Sequence, residues 1–509
     1  TLGVRWEFYP FGYSDNGKGL RLLNLNTGNV LIGGFGNVPR NDGVDIGGGR
    51  FLPRVGVAWR VKPSTVLRAG YGQTSDPNNW RYFRNAYPAV LLDTNIPTST
   101  ASYIPTSSLT GLNGTGLGSG SYSVPSGVTL APLPDLSTGV IPLPKNISTT
   151  TIPNPFRRGY IQSWNLSLQQ EMGHGAVLET GYVGARAVRP LVSMNANTTA
   201  PGSGTAAGLF GTTASINVMT PFKNNYYHSL QTKFTQRWGS SSAGVAFTWG
   251  KAISYSDNED LSSMAFPYPG SWEKNRGPTN FDRTINIQIF GVMQLPFGKN
   301  QHWLQSGPGS WFLGDWQVSP LISILTGAPF TVTAPANLNG VGLTTQAADL
   351  VGVYRRTNGK PLRTGQTCAQ ADLTCHFFDP TAFAAPLIPN VGGVPVNPHF
   401  GNTNRNEFRG PGYFSMNLSL SRDFRFKERY DFQIRADAFG LTNTPHFANP
   451  NVSCPGSGTT VGPVLGSGQL CSTGNNNNFG VITGTNQPGG FFGPDPGNRS
   501  IWLGASLKF

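Results

Sequence analysis

The sequence predicts an all-β chain: an antiparallel transmembrane β-barrel, present as about twelve strands of a larger barrel, with short periplasmic turns and long extracellular loops. Three observations predict it. Candidate strands alternate apolar and polar residues, and many reach the roughly 9–11 residues that a tilted membrane strand needs. The links between them alternate strictly between short and long. Composition joins 66 Gly and 40 Pro to 31 Phe, 16 Tyr and 11 Trp with only 12% charged residues, which fits many turns and aromatic strands and argues against a solvated helical or disordered chain.

Period two places strands at about 2–9, 51–60, 65–73, 159–172, 176–187, 226–238, 243–255, 282–295, 314–326, 412–424, 430–442 and 499–509. Soluble strands average about 5–6 residues, so this length is itself a signal. In SWNLSLQQ, Trp164, Leu166 and Leu168 alternate with Asn165, Ser167 and Gln169. In HSLQTKFTQRW, Leu230, Phe234 and Trp238 oppose Ser229, Gln231, Lys233, Thr235 and Arg237. Phe414, Met416, Leu418 and Leu420 oppose Ser415, Asn417, Ser419 and Ser421; Phe432, Ile434, Ala436 and Ala438 oppose Gln433, Arg435 and Asp437. Successive side chains of a strand point to opposite sides, so one face is apolar and the other suits water. The last strand, SIWLGASLKF, follows the same rule, with Ile501, Leu503, Ala505, Leu507 and Phe509 together.

A soluble sandwich also alternates, and the links discriminate. Short ones are VKPS (61–64), GHG (173–175), GSSS (239–242), a modest one after Phe297, and RFKER (425–429). Long ones run about 10–50, 74–158, 188–225, 256–281, 327–411 and 443–498. Loops of that length do not suit a compact soluble domain. With the long loops outside, the final strand runs inward, and Phe509 ends at the periplasmic interface, where aromatic girdles sit.

No stretch approaches 18 consecutive apolar residues, so no transmembrane helix is predicted. The opening TLGVRWEFYP lacks a Met and a basic-then-apolar leader, which reads Thr1 as an internal position of a longer protein. Net charge is +13, but the 37 basic residues are scattered, with FRRG and YRRT the densest doublets. Nucleic-acid binders concentrate charge in a patch, so no nucleic-acid partner is expected; a basic exterior beside anionic lipid and lipopolysaccharide headgroups is. Cys368 with Cys375, and Cys454 with Cys471, form two local pairs in loop-like sequence that suit disulfides in an oxidising compartment, and neither has a CxxC spacing or a neighbouring His suited to zinc.

No constellation for catalysis or for a cofactor is found. The six His are dispersed without HxxxH or HExxH, no GxSxG occurs, and GTGLGSGS lies in a Gly/Ser/Pro-rich loop without the strand–turn–helix of a phosphate site. Asp257, Glu259 and Asp260 in YSDNED are a weak calcium candidate lacking the EF-hand pattern. Glu179, Lys233, Arg237, Arg435 and Asp437 are expected to face the lumen, paired with each other or set against a plug. Trp80, Tyr82, Phe83 and Tyr87 in NNWRYFRNAYP are outer-loop aromatics able to grip a ligand or to pack the loop.

The segments YIQSWNLSLQQEMGHGAVLETGYVGARA, NNYYHSLQTKFTQRW, GVAFTWGKAIS, FDRTINIQIFGVMQLPFG, GDWQVSPLISILTGAPFTV and RADAFGLTNTPHFANPN, in this order, resemble the C-terminal barrel of TonB-dependent outer-membrane receptors, most of all the Oar-like type that carries a carboxypeptidase-regulatory-like domain. The likeness runs from Phe51 to Phe509. Gly504, Leu507 and Phe509 resemble the terminal signal read by the outer-membrane assembly machinery. The resemblance implies a barrel of about 22 strands closed around an N-terminal plug. Plug, TonB-contacting box and the first strands would then lie upstream of Thr1. It further implies the outer membrane of a Gram-negative bacterium, capture of a small ligand (siderophore, saccharide or peptide) by the outer loops, and uptake energised through the TonB complex. A passive porin or adhesin without a plug is the alternative, and a secreted all-β binding protein a more distant one.

Overall fold

The computed structural model describes residues 1–13, 15–76, 113–115, 121–123, 135–143, 147–200, 208–256, 264–298, 301–335, 345–357, 359–362, 366, 368–369, 372–387, 399–426, 430–456, 467–473, 478–485 and 497–508. Twelve strands form one antiparallel sheet in sequence order. They are β1 (Leu2–Glu7), β2 (Arg50–Lys62), β3 (Thr65–Ser75), β4 (Tyr160–Gly173), β5 (Ala176–Val188) and β6 (Asn224–Trp238). The second half comprises β7 (Ser241–Ser254), β8 (Ile285–Gln294), β9 (Trp316–Leu325), β10 (Tyr413–Phe426), β11 (Tyr430–Phe439) and β12 (Ser500–Lys508). Gly277–Pro278 adds a short pairing at the loop end of β7. Among the described residues, the outer edges of β1 and β12 pair with no strand.

These are the strands that period two predicts, with displaced ends. β8 starts at Ile285 because Asp282 closes a turn on the Thr279 carbonyl. β11 stops at Phe439 because Gly440 turns to φ +55 and donates its N–H to Asn417 Oδ1. The GHG link is a two-residue hairpin. Its central His174 and Gly175 sit at φ 52° and 77°, the double positive φ that matches the twist of flanking strands. A Cβ at Gly175 would lie 2.5 Å from the Arg237 carbonyl, so this turn also needs the missing side chain.

Register carries the face assignment across the whole sheet. Trp59, Leu67, Leu168, Thr180, Thr232, Phe247 and Ile287 follow one another strand by strand. The line continues through Ile324 and Phe414. These apolar side chains are not buried: Trp59 is 60% exposed, Leu166 50% and Leu503 82%. In a soluble sandwich they would form the core. Among the described residues, Leu52 is the one fully buried large apolar side chain of the twelve strands, and the other large ones lie in the loops. Such an inside-out distribution is that of a sheet whose apolar face meets lipid. On β6 the aromatic limits of the apolar face are Tyr226 and Trp238, about 40 Å apart along the strand. At a membrane tilt this is about 25–30 Å of height, the thickness of the apolar band of outer-membrane barrels.

Three-stranded and two-stranded sheets stand on the loops. Arg21–Leu23, Asn29–Ile32 and Val140–Pro142 form one; Leu191–Asn195, Ile216–Pro221 and Thr149–Thr151 form a second. Asp349–Leu350, Phe383–Pro386 and Ser467–Leu470 form a third. Within the Gly-rich 76–159 segment, Asn113–Thr115 pairs with Ser121–Ser123.

Candidate functional site

The face opposite the apolar band is a continuous polar wall. Gln169, Glu179, Lys233, Ala246, Gln288, Ser323 and Ser415 are register partners in turn, from β4 to β10. Arg68 donates to Gln169 Oε1 at 2.7 Å, and Ser323 Oγ to Gln288 Oε1 at 2.6 Å. Of the expected lumen residues, Glu179 and Lys233 lie directly opposite each other on β5 and β6. The Lys233 ammonium also lies 5.9 Å from the Phe290 ring centre. Arg435 and Asp437 form an ion pair along β11 at 2.7 Å. Arg237 stands apart, at the turn end beside Gly175. Water and polar cargo meet such a wall without leaving charges in lipid.

Above the wall the loops build a crown with cores of its own. One lobe packs Leu23, Val30, Ile32, Ile141, Ile216, Val218 and Met264, beside a second cluster around Phe11, Leu20, Ile152 and Phe156. These residues come from four separate loops. The other lobe is aromatic: Phe378 lies 5.4 Å from both Phe383 and Phe479, and Tyr354 lies 4.6 Å from Phe408. Phe378 meets Phe383 and Phe479 edge to face, an arrangement that attracts beyond its buried area. Neither lobe follows the period of the barrel strands, so in the sequence both are indistinguishable from plain loop.

Two arginines of the 327–411 loop tie the aromatic lobe to the β7–β8 connection. Arg405, 6% exposed, donates Nε to the Asn275 carbonyl at 2.7 Å and Nη2 to Ser254 Oγ at 3.0 Å and to the Gly277 carbonyl at 3.2 Å. Asn406 adds its amide to the Pro278 carbonyl and Asn280 Oδ1, both at 2.8 Å. Arg409 pairs with Asp282 Oδ2 and donates Nη1 to the Asp282 carbonyl at 3.1 Å. Asp282, 4% exposed, accepts the Ala252 N–H at 2.7 Å with its other oxygen. Buried guanidinium groups with several acceptors fix orientation, because the fork geometry permits few arrangements. The aromatic lobe is thereby fixed to the β7–β8 connection at the loop end of the strands.

At the rim of β1–β3 a crevice of about 160 Å³ is lined by Glu7, Tyr9, Arg50, Ser75, Arg157 and Arg158. Arg50 stacks on Tyr160 at 4.2 Å, Arg5 pairs with Glu7 at 2.6 Å, and Arg157 with Asp45 at 2.5 Å. The Arg157 guanidinium holds the Asp45 carboxyl below its ordinary range. The FRRG doublet, scattered charge in the sequence, is therefore part of a basic and aromatic rim.

Asp42 is a buried carboxylic acid of the crown. It is 4% exposed, and the cost of desolvating its charge pushes its carboxyl up to about 8. An unfolded Asp titrates near about 3.9, so from about pH 4 to pH 8 the folded segment keeps a proton that the unfolded one has lost. Its contribution to stability is complete below about pH 4 and is lost as pH rises through about 8. We expect the wild-type segment 29–45 to become easier to cleave by a protease active at both ends of this range as pH rises from 5 to 8. Asp42→Asn should remove most of that dependence; an unchanged pH profile in the variant would refute it.

The four cysteines are bonded as Cys368–Cys375 and Cys454–Cys471, with Cα–Cα distances of 6.0 and 4.8 Å. Cys454 and Cys471 belong to the aromatic core. His376 follows Cys375 directly and is 1% exposed, and its Nδ1 lies 3.3 Å from Cys368 Sγ and 3.0 Å from the Asp372 carbonyl. The sulfurs and a ring nitrogen lie within 4.8 Å of each other, so the fold does bring a neighbouring histidine to this pair, with the two sulfurs bonded to one another. Gly504 and Leu507 lie on β12 opposite Arg435 and Phe432. Phe509, the calcium candidates Asp257, Glu259 and Asp260, and the loop aromatics Trp80, Tyr82, Phe83 and Tyr87 lie outside the described residues.

Among solved structures, the chain is similar to the outer membrane transporter YddB from Escherichia coli at 10% identity and TM-score 0.43, covering 95% of this chain and 43% of that one. It is similar to the FrpB iron transporter from Neisseria meningitidis at 8% identity and TM-score 0.38, covering 94% and 41%. The siderophore receptor PiuA from Acinetobacter baumannii gives 5% identity and TM-score 0.36, covering 90% and 36%. The chain thus spans less than half the length of these structures. No curated protein matches it. Residues 1–501 match the model of the outer membrane beta barrel domain. With its lipid-ready outer face, polar wall and meander of membrane-length strands, the chain belongs to the outer membrane beta barrel domain family and resides in the Gram-negative outer membrane.

Proposed function

We propose that this chain is the barrel part of a TonB-dependent outer-membrane receptor of the Oar-like type. In the intact protein the loop crown captures a small ligand, and a plug held inside the polar wall yields to TonB to admit it. The observation that carries this reading is the crown itself. A passive pore needs a polar wall and an open mouth. Here two lobes with buried cores stand on the loops, and Arg405 and Arg409 fix one of them to the β7–β8 connection. Preorganised surfaces of that kind lower the cost of binding a ligand, which a diffusive pore does not require. The basic, aromatic rim around Arg50, Arg157 and Tyr9 supports capture at the mouth. No covalent chemistry on the chain is involved.

The test is uptake by cells expressing the intact protein, offered labelled ferric siderophores, oligosaccharides and peptides in parallel. An energised receptor takes up one class and stops when a protonophore collapses the proton-motive force or when TonB is deleted. Uptake that persists under both treatments overturns the proposal in favour of a passive porin. Surface retention of a ligand without entry, in cells with TonB present, overturns it in favour of an adhesin.

A further inference from the structure

The link between β8 and β9 differs from every other link at its end of the sheet. VKPS, GHG and GSSS make tight hairpins there, whereas this one spans residues 295–315. Within it, residues 301–313 carry no Asp, Glu, Lys or Arg. Five large apolar side chains are exposed together: Trp303, Leu304, Trp311, Phe312 and Leu313, with Phe312 at 64%. In a turn that simply dips into periplasmic water, such a cluster has no physical reason to stay uncovered.

Its contacts show which way it faces. The short helix Pro308–Leu313 folds back onto the strand ends of β9 and β10. The Phe312 carbonyl accepts the Trp316 indole N–H at 3.0 Å and Arg422 Nη1 at 2.9 Å. Trp311 lies 6.4 Å from Phe424, and the Arg422 guanidinium lies 4.3 Å over that same ring. Trp316 and Arg422 are register partners, and Arg422 and Phe424 share the face of Leu418 and Leu420. The helix is therefore fastened to the lipid-facing side of β9 and β10, and its open apolar surface continues the apolar band at its lower margin. Indole rings with an apolar body and one N–H donor favour this boundary, and so does an uncharged apolar patch lying flat.

We infer that residues 303–313 form an interfacial wedge, seated at the headgroup–acyl boundary of the periplasmic leaflet, with the phospholipid of that leaflet as its partner. The continuity with the lipid band selects lipid over a periplasmic protein, and the lack of charge on the wedge leaves little for a protein partner to read.

The experiment is depth-dependent quenching. The intact protein is reconstituted into phosphatidylethanolamine–phosphatidylglycerol vesicles, with and without acyl chains brominated near the headgroup. The difference between wild type and Trp311→Phe isolates the Trp311 emission, and Trp303→Phe gives an independent second difference. Heat-modifiable migration of each variant establishes that the barrel is assembled. We expect the isolated emission to fall by about half or more in brominated vesicles, as for residues of an interfacial belt. Emission unchanged by brominated lipid but quenched by acrylamide would overturn the inference and leave the patch open to a periplasmic protein.

Discussion

Asp282→Ala is expected to destabilise the crown by about 3 kcal/mol, the low end of the cost of removing one partner from a buried ion pair. The low end applies because Arg409 keeps 28% of its side chain exposed and retains the Asp282 and Gly327 carbonyls as acceptors. Two losses add. The Ala252 N–H loses its acceptor at the loop end of β7, and the aromatic lobe loses one of its two arginine ties to the β7–β8 connection. Beyond that one N–H at the end of β7 the strand ladder is untouched, so assembly measured by heat-modifiable migration should persist. The change should appear as an earlier calorimetric transition of the loops and as faster proteolysis within 256–281 and 327–411. Arg409→Lys should fall between, since a lysine keeps the charge but not the fork. A transition in Asp282→Ala within about 1 kcal/mol of the wild type would show that the tie carries no load.

Replacing Cys454 and Cys471 together by alanine is expected to cost about 3 kcal/mol in the aromatic lobe. The bond closes a sequence separation of 17 residues, and a ring of that size removes about that much freedom from the unfolded chain. Both cysteines are also buried, 2% and 1% exposed, so the loss of their sulfurs leaves small voids in the aromatic core. Reduction of the wild type with a dithiol should reproduce the effect, and the Cys368–Cys375 pair, which spans only 7 residues, should contribute less. Equal protease sensitivity before and after reduction would count against a structural role for the bond.

The barrel strands can be read from the chain because lipid imposes a simple rule. Each strand must show one apolar face over the full band, so alternation runs long enough to stand out even in SWNLSLQQ or HSLQTKFTQRW. Strand ends were less clear, because they depend on single events such as the positive φ of Gly440. The crown was hidden for a different reason. Its strands are two to six residues long and packed in small sheets, so the burial in Ala384 or Val218 leaves no period. Its ties join distant positions: Arg405 reaches Asn275 across 130 residues and Ser254 across 151. Nothing in TNRNEFRGPG marks those arginines as buried. His376 stands beside Cys375 in the sequence, but its approach to Cys368 depends on the turn that Asp372 closes around Cys375, which no residue spacing shows.

The alternation of link lengths carries a consequence for how such a chain diversifies. β4 and β5 are joined by His174 and Gly175 alone, whereas β3 and β4 are separated by residues 76–159. Closing a flexible loop grows costlier only with the logarithm of its length, about 0.6 kcal/mol per doubling, so the roughly fortyfold longer detour adds only about 3 kcal/mol. Burying one or two aliphatic side chains offsets that. An insertion that brings a pair such as Val30 and Ile141 into contact therefore supports its own length. The outer segments can expand, divide and exchange their exposed residues while the strand order beneath them stays the same.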